Sequence, residues 1–232
     1  MINRKNPILC YVTDRRSLPA PAVATKLAEK IASIAAAGVD WVQIREKDLS
    51  GRELAELTRE VTAQKRAARI IVNDRVDVAV TEGAGGVHLG ETGLPVADVT
   101  KWVKRTASGV VVSDDGVASQ FPAAARQDFL IGASCHSLES AKAAVRDGAD
   151  YIFFGPVFAT PSKVKFGEPQ GVKKLAEVCN AVALPVIAIG GITIENAREC
   201  VAAGAAGIAA IRLFQDAAEP AQVISELKRL RR

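Results

Sequence analysis

Apolar residues along the chain follow two alternating rhythms. Short runs, ILCYVT (8–13), WVQI (41–44), RIIVN (69–73), GVHL (86–89), FLIGA (129–133), YIFF (151–154), PVIAI (185–189) and GIAAI (207–211), are continuous enough for parallel strands buried on both faces. Between them Val23, Leu27, Ile31 and Ile34 fall on one face at helical spacing, as do Leu54, Leu57 and Val61. Ser50 and Glu53 have the spacing of a capping box at the head of the second helix. One phrase recurs as AAGVDWVQI around Gly38, TEGAGGVHL around Gly83, RDGADYIFF around Gly148 and AAGAAGIAA around Gly204. In each, a helix closes on a glycine suited to the left-handed position, turns, and enters a buried strand.

Eight such strands alternating with helices predict an α/β fold, a (β/α)8 TIM barrel forming a single domain over residues 1–232. The alternation is interrupted around 106–128, where GVVVSDDGVASQFPAAARQD reads as an insertion, either an added strand or an elaborated loop. If its VVV were strand five, every later strand would shift by one.

Composition refines this. Apolar residues make up 49% and aromatic residues 5%, which predicts a core of Ala, Val, Ile and Leu rather than rings. Thirty Lys and Arg against 26 Asp and Glu leave +4, too small and dispersed an excess for a nucleic-acid partner. Small anionic ligands remain compatible. Cys10, Cys135, Cys179 and Cys200 have neither disulfide-motif nor zinc spacing and read as reduced thiols. MINRKNPILCYVTD meets a proline and an aspartate before a long apolar stretch develops, so it reads as neither signal peptide nor membrane span, and the expected location is cytoplasmic.

In a barrel of this kind the carboxyl ends of the strands carry the active site. After strand two, QIREK offers Gln43, Arg45 and Lys47 at alternating positions, which point one way if the strand continues. The bland alternative is a solvated edge of charge. Strand three ends in Asn73 and Asp74, a pair suited to Mg²⁺ beside a diphosphate, or else Asp74 caps the helix starting near Val76. Strand five ends with Ser134, His136 and Ser137 at the rim; His136 is either a proton-transfer residue or a hydrogen-bonded structural one, and His88 within GVHL reads as structural. Gly190 and Gly191 precede a helix after strand seven, a common phosphate position, although Gly-Gly also makes a tight turn. The loop GPVFATPSKVKFGEPQG brings Thr160, Ser162 and Lys163 as donors for anionic oxygen, either as a lid over a phosphorylated ligand or as a plain surface loop.

Taken together, QIREK, VND, GVHLG, GASCHS, FGPVFATPSK and PVIAIGGIT resemble the family of thiamine phosphate synthase and its relative thiazole tautomerase. The resemblance implies a transferase joining hydroxymethylpyrimidine diphosphate to hydroxyethylthiazole phosphate with release of diphosphate, and a Mg²⁺ cofactor. By motif, Gln43, Arg45, Lys47 and Asn73 would hold the pyrimidine diphosphate, Asp74 the metal, and Ser134 and Lys163 the diphosphate oxygens. Thr160, Ser162, Gly190 and Gly191 would hold the thiazole phosphate. Catalysis would fall to Lys163, Ser134 and Arg45, with His136 entering on the tautomerase side.

Two positions depart from the family pattern. Gly93 stands where a second metal-binding Asp is usual, with Glu91 a substitute ligand if the chain stays extended, and Arg212 follows strand eight where Ser is common. These changes keep a tautomerase open as an alternative, and a noncatalytic sensor of a phosphorylated metabolite is the reading from another class. The expected partners are small phosphorylated pyrimidine and thiazole substrates, with no nucleic acid and no membrane; a homo-oligomer is compatible with all of this.

Overall fold

The computed structural model describes residues 6–18, 24–64, 67–107, 128–160 and 168–230. Val23, the VVV run at 110–112, Ser162 and Lys163 lie outside them. Eight parallel strands close into a barrel in chain order. They are β1 (Ile8–Val12), β2 (Trp41–Ile44), β3 (Arg69–Asn73), β4 (Gly86–Leu89), β5 (Leu130–Cys135), β6 (Tyr151–Phe154), β7 (Val186–Ile189) and β8 (Gly207–Ala210). The intervening helices are α1 (Ala24–Ala36), α2 (Gly51–Ala63), α3 (Val76–Thr81), α4 (Val96–Ala107), α5 (Leu138–Arg146), α6 (Gly171–Ala181) and α7 (Ile194–Ala202); the short α8 (Arg212–Gln215) and then α9 (Pro220–Lys228) follow β8. Leu130–Cys135 pairs with β4 and β6, so the FLIGA run is strand five and the later numbering stands.

The local signals act as expected. Ser50 and Glu53 form the capping box of α2. Gly38, Gly83, Gly148 and Gly204 end their helices at φ between 66° and 103°, a region costly to any residue with a Cβ.

Closure is made by β1 against β8, with Cys10 opposite Ala209. It divides the apolar residues into two compartments. Outward residues such as Leu9, Val42, Val72, Ile152 and Ile208 pack under the helices with Leu27, Ile31, Leu57 and Leu175. Each such Leu or Ile contributes about 1.5–3 kcal/mol on burial. Inward residues Ile8, Cys10, Trp41, Ile71, Tyr151, Phe153 and Ile187 form a separate cluster inside the cylinder.

That inner compartment departs from the expected ring-poor core. Trp41 and Tyr151 stack at 4.8 Å between centroids, and Phe153 lies 4.2 Å from the His88 ring. The helix layer needs small branched residues for close approach, whereas a cylinder lined partly by Gly86, Gly132 and Gly207 has room that only large rings fill. Gly132 shows this directly: a Cβ there would sit 2.1 Å from Tyr151 Cζ. The four cysteines are unbridged, three of them buried. Among the described residues no helix is long and apolar enough to cross a membrane.

Gly132→Ala is expected to lower stability by about 1–3 kcal/mol through overpacking against Tyr151, read as a fall in the urea midpoint with unchanged slope. An unchanged midpoint would show that the ring has somewhere else to go.

Candidate active site

Inward positions near the carboxyl ends of β2 and β3 carry amides rather than apolar side chains. Gln43 Nε2 donates to Asn73 Oδ1 at 2.8 Å, and Asn73 Nδ2 donates to Asp74 Oδ2 at 2.7 Å. The other carboxylate oxygen of Asp74 accepts the N–H of Gly90, just past β4, at 2.7 Å. Asp74 has no part in capping α3, whose N-cap is Arg75. Its backbone instead adopts φ 60°, the left-handed region an aspartate tolerates at some cost, and this aims the carboxylate across the rim. The chain Gln43, Asn73, Asp74 is thus set before any ligand arrives. One atom is left over: Gln43 Oε1, in a residue only 2% exposed, has no hydrogen-bond partner among the described residues. A buried acceptor in that state calls for a donor from a ligand or a water.

Past β2 the alternation fails. The strand ends at Ile44, and Lys47 lies exposed in a turn, so Lys47 does not share the direction of Gln43. Glu46, unremarked in the sequence, is the buried residue of this segment. It accepts from Thr13 Oγ1 at 2.6 Å and from the Arg15 N–H, while Thr13 Oγ1 accepts the Arg45 N–H at 2.9 Å. Burial raises the pKa of Glu46, opposed by the hydrogen bond from Thr13. This network fixes the backbone from which Arg45 projects. Its only sequence signal was a carboxylate in phase with the buried residue Ile44.

Gly93 N donates to Gly90 O at 2.9 Å, so residues 90–93 form a tight turn and the chain does not stay extended. Glu91 is therefore not carried toward Asp74 in the manner expected; its Oε2 lies 3.8 Å from His136 Nε2. A Cβ at Gly93 would fall 2.8 Å from Asp74 Oδ1, so a side chain at 93 would require the Asp74 carboxylate to shift. His136 Nδ1 donates to the carbonyl of Gly155, tying the end of β5 to the end of β6. Ser137 turns out to be a helix cap, its hydroxyl accepting the Ser140 N–H at 3.0 Å. Ser134 lies within β5, and its Oγ is 3.0 Å from His88 Nε2. His88 is structural as expected and also reaches this candidate residue. Burial, and after it the charge of Arg45, lowers its pKa to about 3. The Arg45 charge is thus close enough to the ring to be felt there.

The segment after β6 meets the segment after β7. Val157 N donates to Ile189 O and Phe158 N to Gly190 O, at 2.9 and 3.0 Å. A Cβ on Gly191 would lie 2.4 Å from Ala159 O, so glycine here permits close approach of two backbones, the one leading directly to Thr160. Thr193 and Asn196 cap α7 and satisfy each other's N–H groups. Arg212 is exposed at the start of α8. A cavity of about 360 Å³ lies at the opposite, amino-terminal end, where Asp40 pairs with Lys228 and Arg69 bonds Gly85 O at 3.0 Å.

Among the described residues no three His, Cys, Asp or Glu side chains converge as a metal cage. Asp74 nevertheless suits Mg²⁺, which takes one or two carboxylates and draws its other oxygens from substrate phosphates and water. Among the described residues each Asp74 oxygen accepts one hydrogen bond, which leaves it lone-pair capacity for a cation.

A closed (β/α)8 barrel whose carboxyl rim gathers amide, carboxylate and hydroxyl groups is an enzyme scaffold. A profile described as thiamine monophosphate synthase matches residues 9–114 and 103–214. The thiamine-phosphate synthase of Chlorobium luteolum is 37% identical over 228 residues, 96% of this chain and 92% of its own length. That of Methanoculleus marisnigri is 42% identical over 180 residues, 76% of this chain and 74% of its own. The structure of thiamine phosphate pyrophosphorylase from Pyrococcus furiosus superposes with a TM-score of 0.76 at 30% identity, covering 98% of this chain and 97% of that one. The chain belongs to the thiamine monophosphate synthase family, in agreement with the resemblance of its motifs.

The His88 ring titrates near 6.5 when unfolded and near 3 when folded. Between these values the native state binds fewer protons, so stability rises with pH and is lost as pH falls through that window. The expected contribution approaches about 1.4 kcal/mol per pH unit below pH 6. It is checked by urea denaturation at pH 7 and pH 5, with His88→Gln removing that part of the acid sensitivity; identical sensitivity in the variant would rule out His88 as its source.

Proposed function

We propose that the barrel mouth joins hydroxymethylpyrimidine diphosphate to hydroxyethylthiazole phosphate, giving thiamine phosphate and diphosphate. The observation that carries this reading is the prebuilt chain Gln43, Asn73, Asp74, with Gln43 Oε1 buried and, among the described residues, unpartnered. The exocyclic amine of an aminopyrimidine is the kind of donor that acceptor lacks, and Arg45 and Asn73 flank the place of its diphosphate. Membership of the thiamine monophosphate synthase family supports the same substrates.

In this reaction the bond from the pyrimidine methylene to diphosphate oxygen breaks first, and its electron pair leaves with diphosphate. The resulting pyrimidinyl-methyl cation is delocalised over the ring, and the lone pair of the thiazole nitrogen closes the new carbon–nitrogen bond. No proton is transferred, so the residues must stabilise charge on the leaving group rather than act as a base. Arg45, Ser134 and Lys163 supply that stabilisation as donors. Thr160, Ser162, Gly190 and Gly191 hold the thiazole phosphate, and the contact of the 157–159 backbone with Gly190 and Gly191 supports their grouping. Asp74 is the residue that would hold Mg²⁺, which when bound neutralises diphosphate charge; the turn aims Glu91 at His136 instead. Lys47, exposed in its turn, serves at most the outer end of the diphosphate.

Purified protein with Mg²⁺ and both substrates is expected to form thiamine phosphate, measured by chromatography, and EDTA should abolish it. Asp74→Ala should lower kcat/KM about 100-fold or more. Conversion of a thiazole carboxylate tautomer without coupling, stopped by His136→Ala, would instead establish a tautomerase; saturable binding with neither conversion would establish a sensor.

Lys163→Ala separates expulsion of diphosphate from simple binding. The expected result is a fall in kcat larger than any loss of thiazole phosphate affinity; a rise in KM alone would make Lys163 a binding group.

A further inference from the structure

Inside the barrel, His88 from β4 lies between Tyr151 from β6 and Ser134 from β5. Nδ1 is 3.2 Å from the Tyr151 hydroxyl, and Nε2 is 3.0 Å from Ser134 Oγ. Phe153 packs on the imidazole, and the missing Cβ of Gly132 makes the space in which the phenol lies. All three polar groups sit in a row running from the sealed interior to the barrel mouth.

Counting hydrogens fixes the direction of this row. Among the described residues His88 Nδ1 is the sole hydrogen-bond partner of the Tyr151 hydroxyl, which is fully buried. If Nδ1 carried the proton, the phenol would accept it, and its own hydrogen would be sealed away from any acceptor. That is the costlier arrangement. The phenol therefore donates to Nδ1, and the one proton of the neutral ring is on Nε2, from which it is donated to Ser134 Oγ. With its oxygen engaged as an acceptor, Ser134 must direct its own hydrogen away from His88.

We propose that Tyr151 and His88 are positioning residues that hold the Ser134 hydroxyl as a donor aimed at the leaving diphosphate. This rests on the reading of Ser134 as a diphosphate contact. A serine hydroxyl otherwise rotates and accepts as readily as it donates; one already oriented needs no reorganisation as charge develops on the departing oxygen. A charged imidazole would donate from both nitrogens and break the bond order, and the full burial of His88 favours the neutral ring. The pattern parallels the outer partners that set the tautomer of a functional histidine elsewhere.

The chain has two histidines, so nitrogen-15 labelled histidine gives two imidazoles, which His136→Gln assigns. In the ligand-free protein at neutral pH, long-range proton–nitrogen correlation is expected to show His88 protonated at Nε2 and bare at Nδ1. In the coupling reaction, His88→Phe should lower kcat about 10- to 100-fold with little change in KM. His88→Gln, whose amide nitrogen donates from nearly the position of Nε2, should recover most of the rate. A proton on Nδ1, or equal rates in the Phe and Gln variants, would overturn the proposal. The unmutated spectrum decides the direction of the row even if a variant does not fold. An Nε2-protonated ring in a protein that makes no thiamine phosphate would remove the proposed function while leaving the orientation of Ser134 standing.

Discussion

The closure of β1 on β8 is the constraint from which the rest of the molecule follows. Once the sheet has no edge, the inward side chains of all eight strands share one cylinder. Any polar group among them must be satisfied by a neighbour or by a ligand, because the cost of burying it alone is too high. Apolar residues solve this at the amino-terminal and central levels, where Ile8, Cys10, Trp41, Ile71 and Ile187 fill the interior. Near the carboxyl ends two polar rows take over, Gln43 to Asn73 to Asp74 and Tyr151 to His88 to Ser134. Each row begins on a buried group and ends on one facing the mouth, so the inner members have no freedom to wander.

The electrostatics of the mouth follow from the same confinement. Burial already keeps the His88 ring neutral, and the charge of Arg45 acts in the same direction. Asp74 is the counterweight, held by Asn73 and by the Gly90 N–H in a backbone conformation that costs of order 1–3 kcal/mol without such support. Strain held by hydrogen bonds from two neighbouring segments suits a carboxylate whose direction matters more than its contribution to stability. The tight turn at 90–93 completes this arrangement, since Gly90 supplies the donor and Gly93 leaves the space.

The turn also shows why some of the site was not legible in the chain. Glu91 as a substitute for a ligand at 93 assumed an extended backbone, and a single hydrogen bond from Gly93 to Gly90 sends its carboxylate to His136. The shared direction of Gln43 and Lys47 likewise assumed that the strand continues, whereas β2 stops at Ile44 and periodicity has no meaning beyond the end of a strand. Glu46 and Tyr151 were missed for a different reason. Their roles depend on partners 33 and 63 residues away, Thr13 and His88, and no local pattern carries that information.

What the amino-acid order determined alone was the repeat. Strands buried on both faces leave continuous apolar runs, helices buried on one face leave a spaced stripe, and glycines at 38, 83, 148 and 204 mark where one gives way to the other. Those are properties of neighbours in sequence, so the eight-fold alternation and the rim positions of Gln43, Asn73, Asp74 and Ser134 could be read from them. Only the tertiary structure decided which of these groups touch and in which direction their hydrogens point. A hydrogen bond across a barrel is set by the register of strands far apart in the chain, and that register exists only once the cylinder has closed.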